Sequence, residues 1–486
     1  MSEPPPTLLS AFSRVNPLLW QAERTVRPGM RVPARVYATR ELLQEAARDR
    51  SLEQLINLTT LPGVVRFALA MPDIHQGYGS PVGGVVATDI EAGGIISPGM
   101  IGYDINCGVR LLRTSLDVKA LQGHQQELGH ELSRAVPSGV GRGGRIKLDP
   151  QGLDQVLRRG AAQLVELGLG TEQDLEFIES NGCLTGADPR QVSQTAKARG
   201  YDQLGTMGAG NHFVEVQRVA TIFDPVAARA LGLTQDQVVV MIHTGSRGLG
   251  HQIATDWIRS MVQSMPKYNV RLPDRELAGV PYHEPEGQSY FAAMACGANF
   301  AWANRQAITA AVRRGFASIL GKHLTLEVVY DVAHNIGKLE RHPVGRTARS
   351  LLVHRKGATR SFGPGHPEIP ERYRPVGQPV LIPGSMGTSS FVLVGTEQAM
   401  TDSFGSSCHG AGRRLSRHAA LKRFSGKQLK QELEQQGIHI MTASLKGLAE
   451  EAPLAYKEVD NVVSVVEQAG LAKRVALLKP LIVVKG

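Results

Sequence analysis

The sequence predicts a large α/β fold, and three observations carry that prediction. Short apolar runs rich in β-branched residues recur along the chain, helical periodicities lie between some of them, and no linker divides the whole. Apolar runs bounded by turn signals read as buried strands. They fall at 238–242, 326–330, 351–353, 380–382, 391–394 and 481–484. Leu153, Val156, Leu157, Leu164 and Val165 recur at helical spacing. Residues 288–314 are alanine-rich, and that composition predicts a long, buried helix. Segments 139–149 (GVGRGGRIKLD) and 362–375 (FGPGHPEIPERYRP) are punctuated by glycine and proline and are expected at the surface. Neither is long enough to separate domains, and chemically related motifs lie on both sides of each. One domain spanning 1–486 is therefore expected. No internal repeat is evident, and the only low-complexity tract is the short proline run at 4–6.

Composition narrows the class. With 486 residues, 42% hydrophobic and 20% charged, the chain can bury a core without disulfide or metal staples. Many of its 53 glycines follow apolar runs, where tight turns or close backbone approach need them. The formal charge of +10 favours a polyanion such as nucleic acid, although a generally basic solvated surface explains it equally well. Cys107, Cys183, Cys296 and Cys408 are widely spaced with no CxxC pair, which argues against a disulfide framework and for a reducing compartment. The first residues lack the pattern of a secretory signal. No apolar run approaches the roughly 18–20 residues that span a bilayer. A cytoplasmic protein with no membrane partner is expected.

Several of the expected strands end in polar, glycine-containing clusters. Strand 238–242 runs into HTGSRG (243–248), 326–330 into DVAHN (331–335), and 380–382 into PGSMG (383–387). Ligands in α/β architectures bind where strands end and loops begin. Three such endings predict one convergent site. Asp104 and Cys107 are three residues apart and can turn toward one ion, and a thiolate can bridge two. His212, His243 and His334 could complete the set, which suits a borderline divalent metal and is equally compatible with zinc. Most of the 15 histidines need ligate nothing, and a lone buried cysteine is ordinarily a small hydrophobe, as expected for Cys183, Cys296 and Cys408. Cys107 differs, because Asp104, Asn106 and Gly108 surround it.

A second constellation is SSCHGAGRRLSR (406–417). His409 is followed by Gly410, Ala411 and Gly412, then by Arg413 and Arg417 in a basic, helix-like stretch. Glycine admits a phosphate close to the backbone, and arginines and a helix N-terminus stabilise its charge. A neutral histidine there can attack phosphorus and form a phosphoramidate. The alternative makes His409 a metal ligand or a turn residue. Taken alone, these residues point to a metal-dependent phosphoryl-transfer enzyme acting on nucleic acid.

Ten motifs together resemble the RtcB family of RNA ligases. They are MPDIHQGYG (71–79), PVGGV (81–85), GYDINCGVR (102–110), GAGNHFVE (208–215), HTGSRGLGHQ (243–252), DVAHN (331–335), VHRKGATR (353–360), PGSMGTSS (383–390), HGAGRRLSR (409–417) and EEAPLAYKEVD (450–460). The resemblance runs from about residue 71 to the C-terminus, including its Lys-Gly end. It implies a single α/β domain with mixed sheets around a deep dinuclear site. It implies two Mn²⁺ ions, one held by Asp104, Cys107 and His212, the other by Cys107, His243 and His334. His409 would take GMP from GTP. Asn211, His212, Phe213, Glu215, His334, Asn335, Pro383, Gly384, Ser385, Met386, Ser390, Gly410, Ala411, Gly412, Tyr456 and Lys485 would surround the guanylate. Arg247, Arg413 and Arg417 are candidate contacts for RNA phosphates. The implied reaction joins an RNA 3′-phosphate or 2′,3′-cyclic phosphate end to a 5′-hydroxyl end, in RNA repair or tRNA splicing. An archease-type activating protein is an open partner. Two rival readings are a metal-dependent phosphodiesterase and a nonenzymatic RNA-binding protein.

Overall fold

A computed structural model describes residues 8–139, 141 and 143–486. The proline run at 4–6 lies outside the described residues, as do Val140 and Arg142 of segment 139–149. The architecture is mixed α/β, with two large sheets. A seven-stranded sheet takes Ser13–Asn16, Leu19–Ala22, Ala34–Tyr37, Val64–His75, Val82–Asp89, Thr347–Lys356 and Asn335–Val344 in that spatial order. The second sheet has eight strands. Its path runs Leu326–Ala333, Gly108–Asp117, Gln237–Thr244, Phe213–Ile222, Ala472–Lys485, Ser390–Gly395 and Pro379–Ile382. His439–Thr442 pairs in parallel with the long strand Ala472–Lys485.

Each apolar run read from the sequence lies in a strand, and 481–484 is the end of the 14-residue strand Ala472–Lys485. The alanine-rich stretch is the helix Pro285–Leu320, longer at both ends than the composition predicts. Its middle is buried all round, because alanine side chains let neighbouring elements approach closely. Among the described residues no helix is long and apolar enough to cross a membrane.

One periodicity is divided, and one expectation needs correction. The helical periodicity from Leu153 to Val165 is carried by two helices, Pro150–Arg159 and Ala161–Glu166. Gly160 breaks it with φ 57° and ψ −132°, and a Cβ there would lie 2.1 Å from the Gly182 carbonyl oxygen. Segment 362–375 is not wholly on the surface. Phe362, Ile369 and Tyr373 are buried in the core, and Glu371–Tyr373 forms a 3₁₀ turn. Prolines broke the periodicity there while three apolar anchors still packed inward.

The eight-stranded sheet positions the site through its register. Lys485 sits opposite Phe213, Phe213 opposite His243, His243 opposite Val109, and Val109 opposite Val332. One cross-strand row therefore collects five strands at one end of the sheet. The seven-stranded sheet reaches the same place through Asn335, which starts the strand following His334.

Candidate active site

At that end of the sheet, five side chains form a continuous chain of contacts. Asp104 Oδ2 lies 3.0 Å from His212 Nε2. His212 Nε2 is 3.3 Å from Cys107 Sγ, which is 3.4 Å from His243 Nε2, which is 3.3 Å from His334 Nε2. Asn106 explains how Asp104 and Cys107 face one point. Its backbone is left-handed at φ 52°, a conformation asparagine tolerates, and it reverses the loop between them. Gly245 leaves room for the carboxylate, since a Cβ there would be 2.4 Å from Asp104 Oδ1.

The donor chemistry fits a metal. His212 Nδ1 donates to the Met207 carbonyl at 3.0 Å, which turns Nε2 toward Asp104 and Cys107, where a bound metal would take the place of the proton shared with Asp104. Burial first, then nearby positive charge, holds His243 and His334 well below the ordinary histidine range, so both are neutral imidazoles. Burial raises Asp104, but the hydrogen bond and charge of His212 outweigh it and hold the carboxyl down at about 2. Burial and then the Asp104 charge push the Cys107 thiol well above its usual value. A bound cation reverses that logic and deprotonates the thiol. Ligand atoms of Cys107, His212 and His243 lie within 4.8 Å of one another, so this cluster could hold a metal ion.

A single buried guanidinium ties the segments that carry these ligands. Arg305, in the middle of the long helix, donates to the Asn106 carbonyl (2.9 Å), to Asn106 Oδ1 (3.0 Å) and to the Thr244 carbonyl (2.8 Å). It also pairs with both oxygens of Asp331 at 2.8 Å, and Arg110 shares that carboxylate. Asn106 stands between Asp104 and Cys107, Thr244 follows His243, and Asp331 is three residues before His334. Such outer partners fix where metal ligands point.

His409 stands beside the cluster, its ring centroid 4.9 Å from that of His334. It follows the short strand Ser406–Cys408, which pairs with Ala358–Arg360. His409 Nδ1 donates to Asp73 Oδ2 at 2.6 Å, and the His409 amide donates to the same oxygen at 3.0 Å. That pairing fixes the tautomer and leaves Nε2 with its lone pair. Lys457 Nζ donates to the carbonyls flanking Asp73, those of Pro72 (3.0 Å) and Ile74 (2.6 Å). The Lys457 amide donates to the Gly412 carbonyl at 2.9 Å. Gly412 packs directly on Asp73, where a Cβ would be 2.3 Å from its carbonyl oxygen. Burial opposes ionisation of Asp73, but His409 and Lys457 outweigh it and hold the carboxyl below its ordinary value.

Both groups open into a pocket of about 270 Å³. Its far side is lined by Asn211, Phe213, Glu215, Pro383, Gly384, Ser385, Met386, Tyr456 and Lys485. Burial raises Glu215 to about 8 against the opposing charge of Lys485, and Glu215 Oε1 is buried with no hydrogen-bond partner. An acceptor left open in this way fits a ligand that brings N–H donors. Ser390 Oγ accepts from the Gly384 amide at 3.2 Å and from Gln217 at 3.0 Å, so it supports the 383–386 loop from behind. Arg413 donates to the Tyr456 hydroxyl (2.9 Å), Glu451 (3.2 Å) and the Glu450 carbonyl (2.8 Å).

Of the residues singled out from the sequence, all but three line this pocket, together with Gly410, Ala411 and Gly412. His212 stands behind Cys107, Ser390 behind the loop, and Arg247 outside, where its Nε donates to Thr206. The basic stretch after His409 becomes helical only from Arg417, and Arg413 turns inward to Tyr456 and Glu451. Cys296 and Cys408 are buried as expected, but Cys183 is half-exposed, with Sγ directed at the Arg158 carbonyl. Sequence reading missed Asp73, Lys457, Glu451 and Arg305. The signal was present for two of them. Asp73 is the one acid in an otherwise largely apolar strand, and Arg305 is a cation inside an alanine-rich helix buried on all sides.

The sequence matches the family described as tRNA-splicing ligase RtcB over residues 54–486. It is 53% identical over 478 residues to the tRNA-splicing ligase RtcB of Thermococcus kodakarensis, covering 98% of this chain and 99% of that protein. The tRNA-splicing ligase RtcB of Archaeoglobus fulgidus is 51% identical over 478 residues, with 98% and 99% covered. The RNA-splicing ligase RtcB of Mycobacterium tuberculosis is 51% identical over 435 residues, which is 89% of this chain and 100% of that one. With a family match over most of its length and half of its residues identical to such relatives, the chain belongs to the tRNA-splicing ligase RtcB family, a family of RNA ligases.

Proposed function

We propose that this protein uses GTP to join an RNA 3′-phosphate or 2′,3′-cyclic phosphate end to a 5′-hydroxyl end, through a covalent His409–GMP adduct. The observation that carries the reading is the His409–Asp73 pair beside the Cys107 cluster. Asp73 accepts the Nδ1 proton, so His409 Nε2 presents a lone pair to the pocket. That nitrogen attacks the α-phosphorus of GTP. An N–P bond forms, the α–β bridging bond breaks, and pyrophosphate departs with the electron pair. An oxygen of the RNA 3′-phosphate then displaces His409 and leaves an RNA–(3′)pp(5′)G end. The 5′-hydroxyl oxygen attacks that 3′-phosphorus and releases GMP. A 2′,3′-cyclic phosphate end is first opened by hydrolysis.

Asp104, Cys107 and His212 would hold one Mn²⁺ and Cys107, His243 and His334 a second, and the bound ions would supply charge neutralisation for the phosphates. Glu215 accepts from guanine N1–H and its exocyclic amine, a pattern adenine lacks. The loop 383–386, Phe213, Asn211, Asn335, Tyr456 and Lys485 close around the nucleotide. Arg417 and Arg247 meet RNA phosphates, and Arg413 acts there through its hold on Tyr456. The chain works as one domain, since residues from His75 to Lys485 line the same pocket. A free thiol at Cys107 suits a reducing cytoplasm. RNA repair and tRNA splicing are both served by this end chemistry, and an archease-type protein is the activating partner to add.

The test is to incubate the protein with Mn²⁺ and α-labelled GTP. Acid-labile label on the protein, absent in His409→Ala, is the expected result. His409→Ala should still join RNA already carrying the 3′ guanylate, because the last step needs no histidine nucleophile. Adduct formation by His409→Ala overturns the assignment. RNA cleavage without any adduct would identify a phosphodiesterase instead.

A further inference from the structure

Part of the pocket lining is used by neither the metal nor the guanylate assignment. It includes His75, Val82, Gly102, Tyr103 and Lys356. Tyr103 immediately precedes Asp104, and its ring stacks on His251 with centroids 4.7 Å apart and planes 22° from parallel. The Tyr78 ring leans on Tyr103 at 5.1 Å and 60°. Both tyrosines are half-buried and packed against the core. His251 is exposed, one turn along the helix that begins at Arg247. Its ring makes no hydrogen bond among the described residues, so this stack ends on an open aromatic face.

The column is held rigidly from below. Lys356 Nζ donates to the carbonyls of Tyr78, Ser80 (3.1 Å) and Gly99 (3.2 Å). Its methylene chain fills the space under Gly102, where a Cβ would be 3.3 Å from Cε. With all three N–H donors taken by carbonyls, Lys356 braces the segments bearing Tyr78 and Tyr103 and does not reach for a phosphate. Rings ordered before a ligand arrives lose little entropy on binding it.

A flat, preorganised aromatic surface beside a phosphoryl-transfer centre matches a nucleobase, whose π-face stacks on protein rings with little regard to sequence. We propose that Tyr103 and His251, backed by Tyr78, form a stacking platform for the unpaired terminal base of an RNA end. The inference rests on the ligase reading above. It accounts for how an end of arbitrary sequence is held while its phosphate or hydroxyl reaches His409 and the Cys107 cluster.

The test varies ring and base together. RNA substrates carry an abasic terminal nucleotide on either the 3′-phosphate side or the 5′-hydroxyl side. The wild-type protein should join one of the two roughly tenfold less efficiently than its normal counterpart. The double variant Tyr103→Ala, His251→Ala should not discriminate, and Tyr103→Phe, His251→Phe should. Equal joining of abasic and normal ends from both sides overturns the platform, as does discrimination that survives the double alanine change. A second measurement needs no turnover, namely quenching of 2-aminopurine at the terminal position on binding without GTP. An end that binds without quenching overturns the platform. Quenching with no joining by any protein overturns the ligase reading alone.

Discussion

The candidate metal cluster and the proposed nucleophile His409 are neighbours, with the His334 and His409 rings 4.9 Å apart, yet they are held in opposite ways. The cluster residues project from strand ends, and their donor atoms point at one another: Asp104 at His212, His212 at Cys107, Cys107 at His243, His243 at His334. The bracing of that convergence comes from behind, through Arg305. His409 stands on a loop after a three-residue strand and is already satisfied by Asp73, which Lys457 holds in turn. One half of the site would be completed by a cation, and the other is satisfied by its own hydrogen bonds. A chelator should therefore disorganise the first and leave the second intact.

Four changes break or sharpen this contrast. Cys107→Ala removes the central ligand, so bound metal and RNA joining should both be lost. The loss should exceed the roughly 10–100-fold typical of a missing outer partner. Elemental analysis beside a joining assay checks it, and full metal content with full activity would refute the shared thiolate. Asp73→Asn should act on the other half only. An amide in place of the carboxylate favours the wrong histidine tautomer, and the equivalent change in a Ser-His-Asp triad lowers turnover by about 10⁴. We expect guanylylation to fall by about 10²–10⁴ on that precedent, with metal content unchanged.

Arg305→Lys keeps the charge but loses the fork that spans Asn106, Thr244 and Asp331. Metal affinity should fall about 10–100-fold, read by calorimetric titration of Mn²⁺. Unchanged affinity would show that the strand ends hold the ligands without it. The smallest effect concerns Glu215. Its carboxyl is held near 8 by burial, so in the free protein it is largely protonated below that pH. Guanine donors need the carboxylate, so GTP binding should strengthen as pH rises toward about 8 and then level off, by up to about tenfold per pH unit. Glu215→Gln should flatten that component and narrow the preference for GTP over ATP. A wild-type profile matching that of the variant would remove Glu215 from base reading.

The strands, the long helix and the convergence of three strand endings were legible in the sequence, because apolar periodicity and glycine-containing endings are local signals. So were the cluster residues and His409, as members of dense polar motifs. Less was legible where one signal interrupted another. Gly160 splits a regular helical periodicity through its backbone alone, and prolines in 362–375 masked the buried Phe362, Ile369 and Tyr373.

What tertiary structure alone decided is partnership between distant residues. Asp73 and His409 are 336 positions apart, Arg305 and Asn106 199 apart, and neither pairing has a periodicity to betray it. The sequence determined which groups could do chemistry, since residue type and neighbours set what an imidazole or thiol can become. Sheet register decided the rest by aligning Lys485, Phe213, His243, Val109 and Val332 in one row. A one-residue slip in any of those strands would turn its side chains to the opposite face, so the site exists only once the whole sheet has formed.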